Sequence, residues 1–229
     1  MHLLLTDRLT CPRCGPAFGL ILRADALEDR RISAGVLGCP NCREAYPIEG
    51  GVGDLRPRPR DPLPERATRA SVDEGAGEIL QALLGLGGDL TLTPGVAQVV
   101  LTEGVAEEAP ALSARLDAIE VVVVGARGRP GGGAGWSTIV TTGALPFREA
   151  ALRGVVLHGS EVDQWISEAA RVVAPRSRIV VLAPGAGVGA RLRRAGLELR
   201  LDAEEAVVAQ RNPAAPTAFP GVAPHSGDR

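Results

Sequence analysis

Cys11, Cys14, Cys39 and Cys42 are the only cysteines in the 229-residue chain, and all lie near its start. They form two pairs, Cys11-Pro12-Arg13-Cys14 and Cys39-Pro40-Asn41-Cys42. Each two-residue gap makes a tight turn that aims two thiolates at one point. Two such pairs supply a tetrahedral set for Zn2+. Two disulfides would use the same four residues, but a reducing cytoplasm disfavours them. A redox CxxC motif comes singly and opens a helix. The spacing therefore predicts structural zinc, because four thiolates leave no open position for water. A ribbon of this size buries too little to fold unaided, so the metal must supply folding free energy.

Around the cysteines, Leu20–Ala24 and Val36–Gly38 read as short strands. After the second pair comes Tyr46-Pro47-Ile48-Glu49-Gly50-Gly51-Val52. The run CPxC, then CxxC, then YPIxxGV resembles the zinc-ribbon family of small activator subunits of tRNA, rRNA and release-factor methyltransferases. A similar ribbon opens some bacterial rRNA guanine methyltransferases. The resemblance covers residues 3–56. It implies a ribbon that packs against a methyltransferase partner.

Residues 56–70 alternate arginine and proline before turning polar. Proline has no amide hydrogen and a fixed φ, which excludes helix and inner strand and favours extended polyproline II. The stretch is expected to be a solvated, semi-rigid spacer. Arg56, Arg58, Arg60, Arg66 and Arg69 also offer charges that RNA phosphates would accept.

From Ser71 onward the pattern alternates between helix and strand. Ser71 and Glu74 form a capping box before Ile79, Leu80, Leu83, Leu84 and Leu86 at helical spacing. Val96–Leu101 reads as a strand and Ala109–Leu116 as a helix. Ile119–Val124 is a wholly apolar run, which suits a strand buried on both faces. Ser137–Thr142, Leu152–Leu157 and Arg178–Leu182 are further strands, and Glu161–Val173 is an amphipathic helix. Leu197–Leu201 and Ala206–Ala209 make a closing hairpin. Such alternation predicts a doubly wound α/β sheet. Gly143-Ala144-Leu145-Pro146-Phe147, the strand ending at His158, and the run from Glu168 to Val181 resemble the class I S-adenosylmethionine-dependent methyltransferase family, type 11-like. The resemblance implies a Rossmann-like, mostly parallel sheet closed by an antiparallel hairpin. The chain thus divides into a ribbon at 1–55, an Arg/Pro linker at 56–70, the methyltransferase-like region at 71–211 and a disordered tail at 212–229.

That resemblance places the cofactor loop at Thr102–Glu108. A family member carries an acid followed by GxGxG there, so that backbone can approach the ligand closely. Only Gly104 stands in register; Ala106 and Glu108 replace the other glycines, and Thr102 replaces the acid. The second strand ends at Gly125 with no acid for a ribose. Thr141 takes the place of an aspartate near the adenine, four residues before Leu145. Gly104, Ala106, Gly125, Thr141 and Leu145 therefore mark a degenerate S-adenosylmethionine site. Gly128–Gly135 reads as a flexible shortcut where a helix normally lies. A second registration puts the loop at Thr93–Ala97, with Glu103 as the ribose acid. His158 is a weak candidate base, more simply a structural histidine. Trp136 and Trp165 read as core or interface residues.

Net charge is −2 and aromatic content 3%, which argues against a nucleic-acid platform. No apolar stretch reaches membrane-spanning length, and the expected location is cytoplasmic. The leading expectation is a non-catalytic, methyltransferase-like protein with a protein partner, such as a methyltransferase or translation component. An active methyltransferase acting on RNA or protein of the translation apparatus is the alternative. A nucleic-acid-binding ribbon protein is the second alternative.

Overall fold

The computed structural model describes residues 1–63, 74–86, 97–125 and 135–213. The Ser71 cap, Arg66 and Arg69, the Thr93–Val96 segment, most of Gly128–Gly135 and residues 214–229 lie outside those described.

The chain opens with a 3-10 helix, Leu3–Arg8, which tucks Leu5 into the interior. Strands β1 (Thr10–Cys11) and β2 (Gly15–Gly19) form a small antiparallel pair around the first cysteine turn. Next come β3 (Ile21–Glu28), β4 (Arg31–Gly38), β5 (Ala45–Glu49) and β6 (Val52–Asp54), a meander with antiparallel pairing throughout. Its second cysteine turn joins β4 to β5.

Helix α1 (Glu74–Leu84) and strand β7 (Ala97–Thr102) follow the linker. A 3-10 helix, Glu103–Glu108, leads directly into α2 (Ala109–Ser113). The helix expected to reach Leu116 thus ends early, in a turn closed by the Ser113 hydroxyl on the Pro110 carbonyl at 3.0 Å. Strands β8 (Ile119–Gly125), β9 (Trp136–Val140) and β10 (Leu152–His158) come next. Helix α3 (Val162–Val172) leads into β11 (Val173–Leu182), and α4 (Val188–Arg194) precedes the hairpin β12 (Leu197–Asp202) and β13 (Ala206–Arg211). The sequence pattern had not suggested α4; its seven residues carry three arginines and too few apolar positions for a periodic signal.

One sheet of eleven strands runs through the described residues in the order β12-β13-β11-β10-β7-β8-β9-β6-β5-β4-β3. From β11 to β6 all neighbours are parallel; β13 and β12 close it antiparallel. The order reverses between β7 and β10, as in a doubly wound fold. This is a Rossmann-like α/β architecture with a mostly parallel sheet. The ribbon continues the same sheet. Val52, Gly53 and Asp54 of β6 pair in parallel with Thr138, Ile139 and Val140 of β9. The Leu55 amide then donates to the Val140 carbonyl at 2.8 Å.

The apolar residues divide between the two faces. Leu80 and Leu84 of α1 and Leu112 of α2 cover Val99, Val121 and Val123. On the other face Trp165, Ala169 and Val172 of α3 cover Val122, Val155 and Ile179. Leu5, Leu9, Leu37 and Tyr46 of the ribbon belong to that second cluster. Ribbon and α/β region therefore share a core as well as a sheet. The ion pair of Arg31 with Glu120 joins them again, with Glu120 only 3% exposed.

Candidate functional site

The two cysteine turns converge. All four Sγ atoms lie within 4.8 Å of one another. Cys11 and Cys42 are 3.7 Å apart, and Cys39 and Cys14 are 3.8 Å apart. A tetrahedron with Zn–S of about 2.3 Å has edges of about 3.8 Å, so the donor set fits Zn2+. Burial pushes the Cys11 thiol up, but the Tyr46 hydroxyl and the knuckle's backbone amides bring it down to about 7. The Glu44 backbone amide pulls Cys42 down, yet burial and the three neighbouring thiols drive it up to about 12. Four thiols this close resist joint ionisation; a divalent cation is what permits it.

The groups behind the cysteines are equally ordered. Tyr46 is fully buried and its hydroxyl lies 3.3 Å from the Cys11 sulfur. The Asn41 side-chain amide donates to the Cys14 sulfur at 3.3 Å. Such outer contacts hold thiolates in place and moderate their charge. Arg56 and Arg60, in the described part of the linker, fold back onto this region. Arg60 stacks 5.3 Å above the Tyr46 ring and reaches Glu44 and the Ala45 carbonyl. Arg56 holds Asp54 through two bonds, and Arg58 pairs with Glu44. Three arginines offered by the sequence to phosphate are thus engaged within the protein.

The ribbon also touches the loop after β9. The Thr10 amide donates to the Pro146 carbonyl at 2.9 Å, and Leu9 bridges to Phe147. Glu168 accepts the Leu145 amide at 2.9 Å, while Arg171 donates to the Leu145 and Phe147 carbonyls. Burial pushes the Glu168 carboxyl up, but the Arg171 guanidinium and the Leu145 amide outweigh it and hold it below its ordinary value. A cavity of about 170 Å³ lies between the knuckle and this loop, lined in part by Cys11, Pro12, Leu145 and Glu168.

The residues expected from the sequence at a cofactor site are placed near the carboxyl ends of β7, β8 and β9, where a doubly wound fold binds its ligand. Gly104 is the second residue of the 3-10 helix after β7. Gly125 ends β8 and accepts the Thr141 amide at 2.9 Å on its carbonyl. Ala106 is turned into the core beneath α1, and Leu145 into the opposite core. A Cβ at Gly125 would meet the Glu103 side chain at 2.8 Å.

The residue that organises this crevice is Glu161. Its carboxylate accepts the Thr102 hydroxyl at 2.5 Å and the Gly104 amide at 3.1 Å. It also receives the His158 amide at 3.4 Å, completing a capping box before α3. A Cβ on Gly104 would meet the Glu161 carboxylate and the His158 Cβ, both at 2.6 Å. His158 itself caps this turn. Its Nδ1 lies 2.7 Å from the Ser160 hydroxyl and accepts the Ser160 amide. In the sequence Glu161 stands only as the first residue of an amphipathic helix. Its spacing from His158 was the available signal for the cap, but nothing local pointed to Thr102, 59 residues away.

Residues 2–51 match the family described as Trm112p-like protein. Among curated proteins nothing matches in sequence. Among solved structures, the chain is similar to the [4+2]-cyclase SpnF at 20% identity and a TM-score of 0.42, covering 61% of this chain and 63% of that one. It is similar to the antibiotic-resistance methyltransferase Kmr at 13% identity and a TM-score of 0.43, covering 60% of this chain and 93% of that one. A third is the complex between the Haloferax volcanii Trm112 methyltransferase activator and the putative methyltransferase, at 14% identity and a TM-score of 0.41, covering 61% of this chain and 95% of that one.

Proposed function

We propose that this chain, a Trm112-like zinc ribbon fused to a methyltransferase-like fold, is a non-catalytic binding or scaffolding protein whose ribbon serves its own α/β region. The observation that carries this reading is the Glu161 carboxylate held between Thr102 and Gly104. A methyl donor needs an open backbone cradle at that loop. Here a carboxylate of the protein lies against the single surviving glycine, and a 3-10 helix takes the place of a glycine loop. Ala106 faces the core, and Thr141 is tied to Ala144 through its hydroxyl at 3.3 Å. In this reading the residues present do not fit S-adenosylmethionine.

In this reading the four thiolates hold Zn2+, which supplies folding free energy and fixes the knuckle beside Pro146. Strand β6 of the ribbon pairs in parallel with β9 of the α/β region, so the ribbon's contact is made within the chain. Glu168 and Arg171 then lock the loop that carries Leu145 and Phe147. The activity class is tested by thermal denaturation of metal-loaded protein with and without S-adenosylmethionine. A ligand at a hundred times its Kd would add about 2.7 kcal/mol of stability. The reading expects no shift at millimolar cofactor for the natural sequence. A shift of several degrees would support an active methyltransferase instead.

A further inference from the structure

We infer that Arg60 of the linker is a positioning residue of the metal centre: its guanidinium, held over Tyr46, strengthens the hydrogen bond that the Tyr46 hydroxyl gives to Cys11. The inference rests on four thiolates holding Zn2+ and is independent of the crevice at Gly104. It assigns a task to a residue that belongs to neither cysteine turn.

The guanidinium is pinned from several sides. Its Nη2 donates to the Glu44 carboxylate at 3.2 Å and to the Ala45 carbonyl at 3.1 Å, and its Nε donates to the Arg56 carbonyl. Arg56 in turn grips Asp54 and the Asp61 carbonyl, which holds the backbone of this strap in place. Arg60 and Glu44 are only 12% and 10% exposed, so the pair is withdrawn from solvent screening. The cation lies 5.3 Å from the centroid of the Tyr46 ring, within cation–π range.

A thiolate bound to Zn2+ has no hydrogen, so the Tyr46 hydroxyl must be the donor across its 3.3 Å contact with Cys11. A cation on the ring face draws electron density from the phenol, and polarised hydrogen bonds strengthen one another. Zn2+ with four thiolates keeps two excess negative charges, which nearby donors stabilise. Arg13 and Arg58 also reach Glu44, at 3.7 and 3.3 Å, but both are mostly exposed and screened by solvent. Glu44 closes the second cysteine turn as well, its carbonyl accepting the Cys39 amide at 2.9 Å. The strap thus reaches both turns, Cys11 through Tyr46 and Cys39 through Glu44.

The test is the absorption spectrum of the full chain with Co2+ in place of Zn2+, together with zinc affinity by chelator competition. A hydrogen bond to sulfur lowers its electron density, so weakening that bond moves sulfur-to-cobalt charge transfer to lower energy. Arg60→Met and Arg60→Gln both remove the cation. Each is expected to show that shift and to bind zinc about tenfold more weakly. Arg58→Met is expected to leave the band in place. Tyr46→Phe combined with Arg60→Met is expected to shift it no further than Tyr46→Phe alone, because the cation acts through the hydroxyl. A natural chain that binds less than one zinc per molecule overturns the metal reading and this inference together. In a metal-loaded chain, an unmoved band in both Arg60 variants overturns the inference alone. So does an equal shift in Arg58→Met, or a further shift in the double variant.

Discussion

Arg31 of β4 grips Glu120 of β8 with two parallel bonds, of 2.6 and 2.9 Å, across 89 residues of sequence. The Ser137 hydroxyl donates to the same carboxylate at 2.5 Å and accepts the His2 amide at 2.9 Å. This is a part-buried fork-to-fork pair, its carboxylate end buried, linking ribbon and central sheet. Removing one partner strands the other charge. Glu120→Ala is therefore expected to cost about 3 kcal/mol, read as a shift in urea midpoint. Arg31→Met combined with Glu120→Leu should cost less than the two single changes together. Additive costs would mean that the pair does not link the two regions.

Metal removal tests whether ribbon and sheet fold together. Cys39→Ser is expected to lose the metal. Because Leu9, Leu37 and Tyr46 share a core with Val122 and Ile139, its effect should reach β9. Amide exchange of Thr138–Val140 and of Phe147 should accelerate. Unchanged protection there, with protection lost only in the ribbon, would contradict the shared core.

Tyr46→Phe keeps the buried ring under Arg60 and removes only the hydroxyl facing Cys11. Outer contacts of this kind are worth about 10- to 100-fold in metal affinity. Competition with a chromogenic chelator should show a loss of that order, with little change in the protein's helical signal. Equal affinity would mean that the Tyr46 hydroxyl contributes only packing.

Glu168 sets an acid limit. Its ordinary value is 4.5, and in the folded chain it is held lower, chiefly by Arg171 acting against burial. A group lowered on folding stabilises fully above its unfolded value. That contribution is lost as pH falls through the folded value. The natural chain should thus lose stability below about pH 4.5 more steeply than Glu168→Gln, which lacks the titrating carboxyl. The variant should be weaker at pH 7 by about 1–2 kcal/mol. Parallel pH profiles for the two proteins would remove Glu168 from this role.

What was legible in the sequence follows the range of each signal. Four cysteines at fixed short gaps announce a metal site, because chemistry and spacing are both local. The apolar run of β8 and the α/β class of the sheet were legible because strands buried on both faces carry continuous Val and Ile. The joining of the ribbon to β9 was not, since Val52-Gly53-Asp54 is three residues with no pattern of its own. The linker arginines read as solvated because polyproline composition says nothing of Glu44 and Asp54, the acids that bind them. The Glu161 tie to Thr102 joins residues from two strand ends that only the fold brings together.

The central claim is that the crevice beside Gly104 is filled by the protein's own carboxylate. Calorimetric titration of S-adenosylmethionine into the full metal-loaded chain tests it most directly. The account predicts no binding heat up to millimolar cofactor. A saturable isotherm with a micromolar Kd would contradict it.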